Sequence, residues 1–135
     1  MIKEITQWFE RAVPNPTDRN ESVQIGCHFE EVAEMMEALG LDNIDVIYMH
    51  NLANKFKACD YLYSIKRGPL LDALADQLVT ATGVAHMTKM DLVSAGAEVN
   101  RSNWSKFVDG QPVFKANGKI DKGPAYTEPN LGGMY

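Results

Sequence analysis

The sequence predicts an all-α protein, a helical bundle of about five helices followed by a C-terminal β-hairpin arm. Apolar residues recur at helical spacing over about residues 1–106, which is typical of helices packed on one face. Residues 109–135 instead hold five of the ten glycines and three of the six prolines. We therefore expect one domain over residues 1–135, with a helical core over about 1–106 and a hairpin and coil tail over about 107–135.

Helix-breaking residues set the expected boundaries of the five helices. Pro14 and Pro16 end the first helix, and Gly40 is a suitable C-terminal stop for the second. Pro69 follows a glycine and suits the first turn of the fourth helix. The predicted helices cover residues 1–12, 20–39, 43–66, 69–88 and 91–105.

The expected hairpin is centred on Asn117 and Gly118. This pair separates two short runs, residues 112–116 and 119–122, that contain apolar residues. Asn-Gly between such runs is the usual signal for a two-residue hairpin turn.

Bulk composition excludes several classes of function. The chain has 135 residues and a net charge of −5, which argues against binding a nucleic-acid polymer. No apolar run approaches the length of a membrane span, and the first residues lack the apolar region of a signal peptide. We therefore expect a cytoplasmic protein that does not bind a membrane.

Charge is distributed unevenly along the chain. Residues 20–40 carry five acidic residues and no Lys or Arg, whereas residues 101–122 carry five basic and two acidic residues. An acidic segment that binds a cation and a basic segment that binds phosphate would together suit a metal-bound anionic substrate.

Glutamates cluster on one face of the predicted second helix. Glu30, Glu34 and Glu37 fall within about 60° of one another on a helical wheel, with Glu31 about 100° from Glu30. Glu30 and Glu34 are a like-charge pair one turn apart, which destabilises a bare helix. A positive group is therefore expected nearby.

A second acidic pair lies in the predicted fourth helix. Asp72 and Asp76 are one turn apart in a segment rich in Ala and Leu, where Asp is a poor helix former. From spacing alone, a metal site and an ordinary solvated polar face are about equally good explanations of these carboxylates.

The two acidic helices and two basic segments resemble the all-α nucleoside triphosphate pyrophosphohydrolases of the MazG-like superfamily. The resemblance is strongest to the phosphoribosyl-ATP pyrophosphohydrolase-like branch found in bacteria and phages. In the second acidic motif the sequence departs from the family's Glu-x-x-Asp pattern, since its two acids are four residues apart. The resemblance is carried by residues 24–35, 71–78, 100–107 and 118–126.

The resemblance implies an obligate homo-oligomer, a homodimer or homotetramer, whose helical bundle is completed by assembly. It implies Mg²⁺ as the cofactor, with Mn²⁺ as a substitute, and hydrolysis of a (d)NTP to a (d)NMP and pyrophosphate in house-cleaning of the nucleotide pool. By position, the expected metal ligands are Glu31, Glu34, Asp72 and Asp76.

Glu30 is the best candidate to orient or deprotonate the attacking water. Several residues in the basic segments are candidates to bind the substrate phosphates, sugar or base, although they could instead stabilise the tail against the bundle. These substrate-binding candidates are Arg101, Asn103, Lys106, Lys119 and Lys122.

Three alternative interpretations of these residues exist. A carboxylate-bridged di-iron bundle would need Glu-x-x-His pairs, and none occurs. A non-catalytic helical protein that binds a nucleotide or metal would explain the bundle, though not the combination of acidic faces and basic tail. Within the enzyme hypothesis, phosphoribosyl-ATP remains an alternative substrate to dNTPs.

Overall fold

The protein is all-α, as predicted, with five helices and no β-strand. The structure is a computed structural model that describes residues 1–135. The helices are α1 (Ile2–Ala12), α2 (Asp18–Ala38), α3 (Asn43–Lys57), α4 (Arg67–Met87) and α5 (Leu92–Trp104).

The third helix is shorter than predicted, because it ends at Lys57 and not at residue 66. Cys59 takes a left-handed conformation with φ of 58°. Its N–H donates to the carbonyl of Phe56, and the N–H of Asp60 donates to that of Lys55. This pair of bonds is a Schellman C-terminal motif. The sequence did not reveal it because the left-handed position usually holds Gly.

The predicted β-hairpin arm is not supported, since the tail contains only isolated antiparallel bridges. One bridge joins Phe114 to Ile120. The turn has three residues, 116–118, and not two. The N–H of Lys115 donates to the carbonyl of Lys119, and the N–H of Gly118 donates to the carbonyl of Lys115. Gly118 has a φ of 85°, which suits the left-handed position of such a turn. A two-stranded ribbon is marginal on its own, so the chain reverses without forming strands.

Two compact units make up the chain. The first comprises Met1–Glu10, Tyr63–Gln111 and Lys122–Tyr135, and the second comprises Arg11–Leu62 and Pro112–Asp121. We call residues 112–121 the arm, because this part of the tail belongs with α2 and α3 in the second unit.

In the second unit, α2 and α3 pack as a close antiparallel pair. Gly26, Ala33 and Ala53 are buried, and such small residues let two helix backbones approach closely. The hydroxyl of Ser22 donates to the carbonyl of Phe56 at 2.7 Å across this contact. The side of α2 that faces α3 therefore includes small residues.

In the first unit, aromatic rings pack where α5 ends. Trp8 stacks on Phe107 with ring centroids 5.7 Å apart, and Trp104 meets the edge of Phe107 at 5.4 Å. Gly123 lies against this region, because its N–H donates to the carbonyl of Lys106 at 3.1 Å. These contacts fix the end of α5 and the start of the final segment.

The fourth helix is almost uncovered. Ala85 is its only buried residue, while Leu71 and Val79 are 71% and 70% exposed. Large apolar side chains are therefore exposed along much of this helix. No helix has both the length and the hydrophobicity needed to cross a lipid bilayer.

Candidate functional site

The carboxylate of Glu30 lies between two lysines. Its Oε1 accepts a hydrogen bond from Nζ of Lys57 at 2.6 Å, and its Oε2 accepts one from Nζ of Lys119 at 2.6 Å. Lys57 is the last residue of α3, and Lys119 belongs to the arm. Three segments that are distant in sequence therefore meet at one carboxylate, and we call these three residues the Glu30 cluster.

Burial and hydrogen bonding act in opposite directions on the Glu30 cluster. Burial alone disfavours the charge on Glu30, but the hydrogen bonds from Lys119 and Lys57 outweigh it and lower the pKa of the carboxyl. Burial likewise disfavours the charge on Lys119, yet its hydrogen bond to Glu30 raises the pKa of the ammonium. The carboxylate of Glu30 and the ammonium of Lys119 are thus held in their charged forms.

Two further contacts attach the arm to α2. Nη2 of Arg19 donates to the carbonyl of Ala116 at 2.6 Å. A side chain on Gly118 would lie 3.4 Å from Nε of Arg19 and 3.8 Å from a methyl group of Val23. The turn that precedes Lys119 therefore packs against α2, which places Lys119 near Glu30.

A second glutamate of the acidic face also has a partner on α3. Nε2 of His50 lies 2.7 Å from Oε1 of Glu37. Because the two helices are antiparallel, His50 and Lys57 lie beside opposite ends of the acidic face. The positive groups expected next to this face are thus supplied, at Glu30, by two lysine side chains from outside α2.

The predicted metal ligands occupy exposed positions. Glu31 and Glu34 lie about one helical turn apart on α2. Asp72 and Asp76 lie about one turn apart on α4. No group of three or more His, Cys, Asp or Glu side chains is placed to hold a metal ion. A magnesium site built from these carboxylates stays a prediction.

Their chemistry nevertheless suits Mg²⁺. This ion prefers oxygen ligands, keeps several waters, and is usually bound by one or two carboxylates together with substrate phosphates. Glu31 and Glu34 offer an exposed pair of that kind on one helix. A complete protein cage is not required for such a site.

Arg101 is occupied by contacts to the C-terminal segment. Its guanidinium makes two hydrogen bonds of 2.8 Å to Glu98, and it also donates to the hydroxyl of Thr127 and the carbonyl of Glu128. The N–H of Asn130 donates to the same carboxylate of Glu98 at 2.8 Å. The hydrogen bonds from Arg101 and Asn130 lower the pKa of Glu98 to about 2. These contacts favour a role for Arg101 in anchoring the tail, and its binding of substrate remains a prediction.

The other substrate-binding candidates lie in the first unit. Nζ of Lys106 is 5.9 Å from the centre of the Trp8 ring, and Nζ of Lys122 is 4.5 Å from that of Tyr126. Asn103 is half-buried near the end of α5. Both ammonium groups thus lie over aromatic rings, where cation–π attraction holds them. Contact of these three residues with a substrate is still a prediction.

Sequence reasoning missed Lys57 and His50. Both were included in the predicted third helix without a role, because no local motif surrounds them. Their partners lie 27 and 13 residues away in sequence. Only the alignment of two antiparallel helices brings them together, and a search for opposite charges across that helix pair could have found them.

Comparison with known proteins gives no match. No protein-family model matches the chain. No curated protein and no solved structure matches it either. The resemblance to MazG-like enzymes therefore depends on the residues of the four segments given above.

Proposed function

We propose that the protein is a Mg²⁺-dependent nucleoside triphosphate pyrophosphohydrolase that works as a homo-oligomer. The observation that carries this proposal is the arrangement at the middle of α2. Glu31 and Glu34 are exposed on the same helix as Glu30. The carboxylate of Glu30 pairs with the ammonium groups of Lys57 and Lys119. Acids suited to a cation and bases suited to phosphates thus lie on one unit.

The reaction would cleave the anhydride between the α- and β-phosphates. The oxygen of water bonds to phosphorus, the bridging P–O bond breaks, and the nucleoside monophosphate and pyrophosphate separate while the proton of the water passes to solvent. Negative charge spreads over the phosphoryl oxygens in the transition state, so positive charge and positioning supply most of the catalysis. Bound Mg²⁺ would supply charge neutralisation and a more acidic water.

The chain's own residues would position the reactants. A carboxyl group with a lowered pKa is a weaker proton acceptor. Glu30 would therefore orient the attacking water and would not deprotonate it. The side chain of Lys119 is the more exposed of the two that contact Glu30, at 38% against 13% for Lys57. Lys119 is therefore the better placed to contact a phosphate.

The uncovered face of α4 supports assembly as a homodimer or homotetramer. Leu71, Leu74 and Leu78 are all exposed on this helix. A helix that leaves this much apolar surface in water gains little stability from its own chain, and burial against further copies would recover it. The same helix carries Asp72 and Asp76, so assembly would also bring a partner's surface near these carboxylates.

One observation favours a second candidate function. The two lysines that meet at Glu30 would equally suit a helical protein that binds the phosphates of a nucleotide without turning it over. Catalysis and binding are separated by the same experiment.

The test is release of pyrophosphate from a panel of substrates. Purified protein is incubated with each dNTP, each NTP and phosphoribosyl-ATP in the presence of Mg²⁺ or Mn²⁺, with matched samples in EDTA. We expect metal-dependent release from at least one substrate. If folded protein binds nucleotides but turns none over, the binding function replaces the enzymatic one. If it neither binds nor hydrolyses any of them, both proposals are wrong.

A further inference from the structure

The Glu30 cluster contains Lys57, a residue for which the sequence analysis predicted no role. Its Nζ donates to Oε1 of Glu30 at 2.6 Å, and its side chain is only 13% exposed. A lysine this well covered is uncommon unless it is paired. Lys57 therefore depends on its pair with Glu30, whose second oxygen accepts a hydrogen bond from Lys119.

The backbone of α2 is shaped to admit the stem of Lys57. A Cβ atom on Gly26 would lie 2.6 Å from Cγ of Lys57 and 2.6 Å from the carbonyl oxygen of Ala53. Gly26 is one helical turn before Glu30, so the missing side chain opens the path along which Lys57 reaches that carboxylate. The position of Lys57 at the end of α3 also suits its charge, because cations are stabilised at a helix C-terminus.

The two lysines differ in their freedom to move. Lys57 lies on a helix, against a close helix contact, whereas Lys119 follows the three-residue turn of the arm and its side chain is 38% exposed. The arm contains one bridge and no strand. Few buried contacts and an exposed backbone are the properties of segments that open at low free-energy cost. Lys119 is thus the exchangeable partner of Glu30, and Lys57 is the fixed one.

We propose that Lys57 is a positioning residue for a phosphate-binding arm: by neutralising one oxygen of Glu30, it lets the ammonium of Lys119 pass from the other oxygen to a phosphate group of a polyphosphate ligand. Without Lys57, the full charge of Glu30 would be directed at Lys119 and would hold it more tightly. With Lys57 present, a phosphate competes with a carboxylate whose charge is already balanced. The naming of a nucleotide as the natural ligand rests on the proposed function.

The probe is inorganic tripolyphosphate, and its affinity is measured by calorimetry in metal-free buffer that contains EDTA. Tripolyphosphate has the phosphate chain of a nucleotide without base or sugar, and the absence of metal isolates the contribution of the lysines. We expect Lys119→Met and Lys57→Met each to weaken binding about tenfold, the scale of one charge-assisted hydrogen bond. Lys57→Arg should restore most of the affinity, since it returns a positive group to Glu30.

Matched controls lie beside each lysine. Lys115 is on the same arm as Lys119, and Lys55 is in the same last turn of α3 as Lys57. Neither contacts Glu30 in the cluster defined above, so Lys115→Met and Lys55→Met should bind tripolyphosphate like the unmodified protein. An equal loss in these controls would show a general charge effect and would overturn the proposal.

A double-mutant cycle separates positioning from direct contact. Glu30→Gln should tighten tripolyphosphate binding, because it removes both a competitor for Lys119 and a nearby negative charge. In that background Lys57→Met should have no further effect, since Lys57 acts through the charge of Glu30. An equal loss in both backgrounds would mean that Lys57 contacts the phosphate or acts only on the fold, and the proposal would fail.

Failure of this inference can be told from failure of the proposed function. If the unmodified protein does not bind tripolyphosphate, the inference is wrong even where nucleotides are hydrolysed. If the variants follow the expected pattern but no nucleotide is hydrolysed, the phosphate-binding arm stands and the enzymatic proposal does not. Circular dichroism of each variant shows whether it is folded, and Lys119→Met tests the arm even if Lys57→Met unfolds, because Lys119 lies outside every helix.

Discussion

Gly26 and Lys57 cross so closely that a methyl group on the glycine would lie 2.6 Å from Cγ of the lysine. Gly26 has no side chain at the place where the methylene groups of Lys57 pass. Lys57 occupies that space and reaches Glu30. The contact therefore belongs both to the packing of α2 on α3 and to the candidate site.

The first prediction concerns this crossing. Gly26→Ala should destabilise the protein by about 1–3 kcal/mol, because the new Cβ must displace the backbone of α3 as well as Lys57. The free energy of unfolding from urea titration measures the effect. Gly83→Ala is the control, since Gly83 lies inside α4, nothing lies within 4 Å of its added Cβ, and alanine is favoured by about 1 kcal/mol over glycine in a helix interior. Equal stabilities of the two variants would contradict the close packing.

The second prediction concerns a proposed metal ligand. Glu34→Gln should abolish Mg²⁺-dependent turnover while leaving the melting temperature unchanged or higher. Glu34 is exposed, and its removal relieves a like-charge pair with Glu30 that costs about 0.2–0.5 kcal/mol. Pyrophosphate release and thermal unfolding in metal-free buffer measure the two effects.

Glu37→Gln is the matched control for that experiment. Glu37 lies on the same face of α2, but it pairs with His50 and has no assigned ligand role. This variant should keep its turnover. A large loss of stability in Glu34→Gln without metal would instead make Glu34 a structural residue.

The third prediction concerns assembly. Leu78→Lys places a charge in the middle of the exposed apolar face of α4, so it should dissociate the oligomer while the helical content of each chain is largely kept. Light scattering coupled to size-exclusion chromatography gives the mass. Leu62→Lys is the control, because Leu62 is 98% exposed and lies outside every helix. If the unmodified chain is monomeric, or if both variants keep the oligomer, α4 is not the interface.

The fourth prediction is a pH dependence in the C-terminal segment. The pKa of Glu98 is lowered from 4.5 to about 2, so the folded state binds this proton more weakly than the unfolded state. The stability that Glu98 contributes is therefore fully present above its unfolded pKa of 4.5 and is lost as the pH falls through about 2. The amide resonance of Asn130, which donates to Glu98, should titrate with a midpoint near the lower value.

Glu98→Gln removes the titrating group and should abolish that transition. The comparison also bears on Arg101, because the same carboxylate holds its guanidinium. A midpoint for Asn130 at the ordinary glutamate value would show that the tail is not anchored as described.

The helices were largely predictable because their signals are local. Pro14 and Pro16 follow the end of α1, and Pro69 falls in the first turn of α4. The two errors arose where local signals misled. Cys59 ends α3 in a left-handed conformation that its residue type does not announce, and the Asn117–Gly118 turn forms without flanking strands.

The candidate site was predictable only in part. Glu30 and Lys119 were both singled out, because clustered carboxylates and a basic tail are visible in the sequence. Their contact with each other, and the participation of Lys57, were not visible. The affected residues lie 89 and 27 positions apart from Glu30 along the chain.

By itself, the sequence determined the all-α class, the five helices and the acidic face of α2, because these depend on neighbours within a few residues. Only the tertiary structure decided that Lys57 and Lys119 pair with Glu30, that His50 hydrogen-bonds Glu37, and that most of α4 is exposed. Pairing between distant charges depends on how helices cross and where turns come to rest, and a linear pattern contains neither.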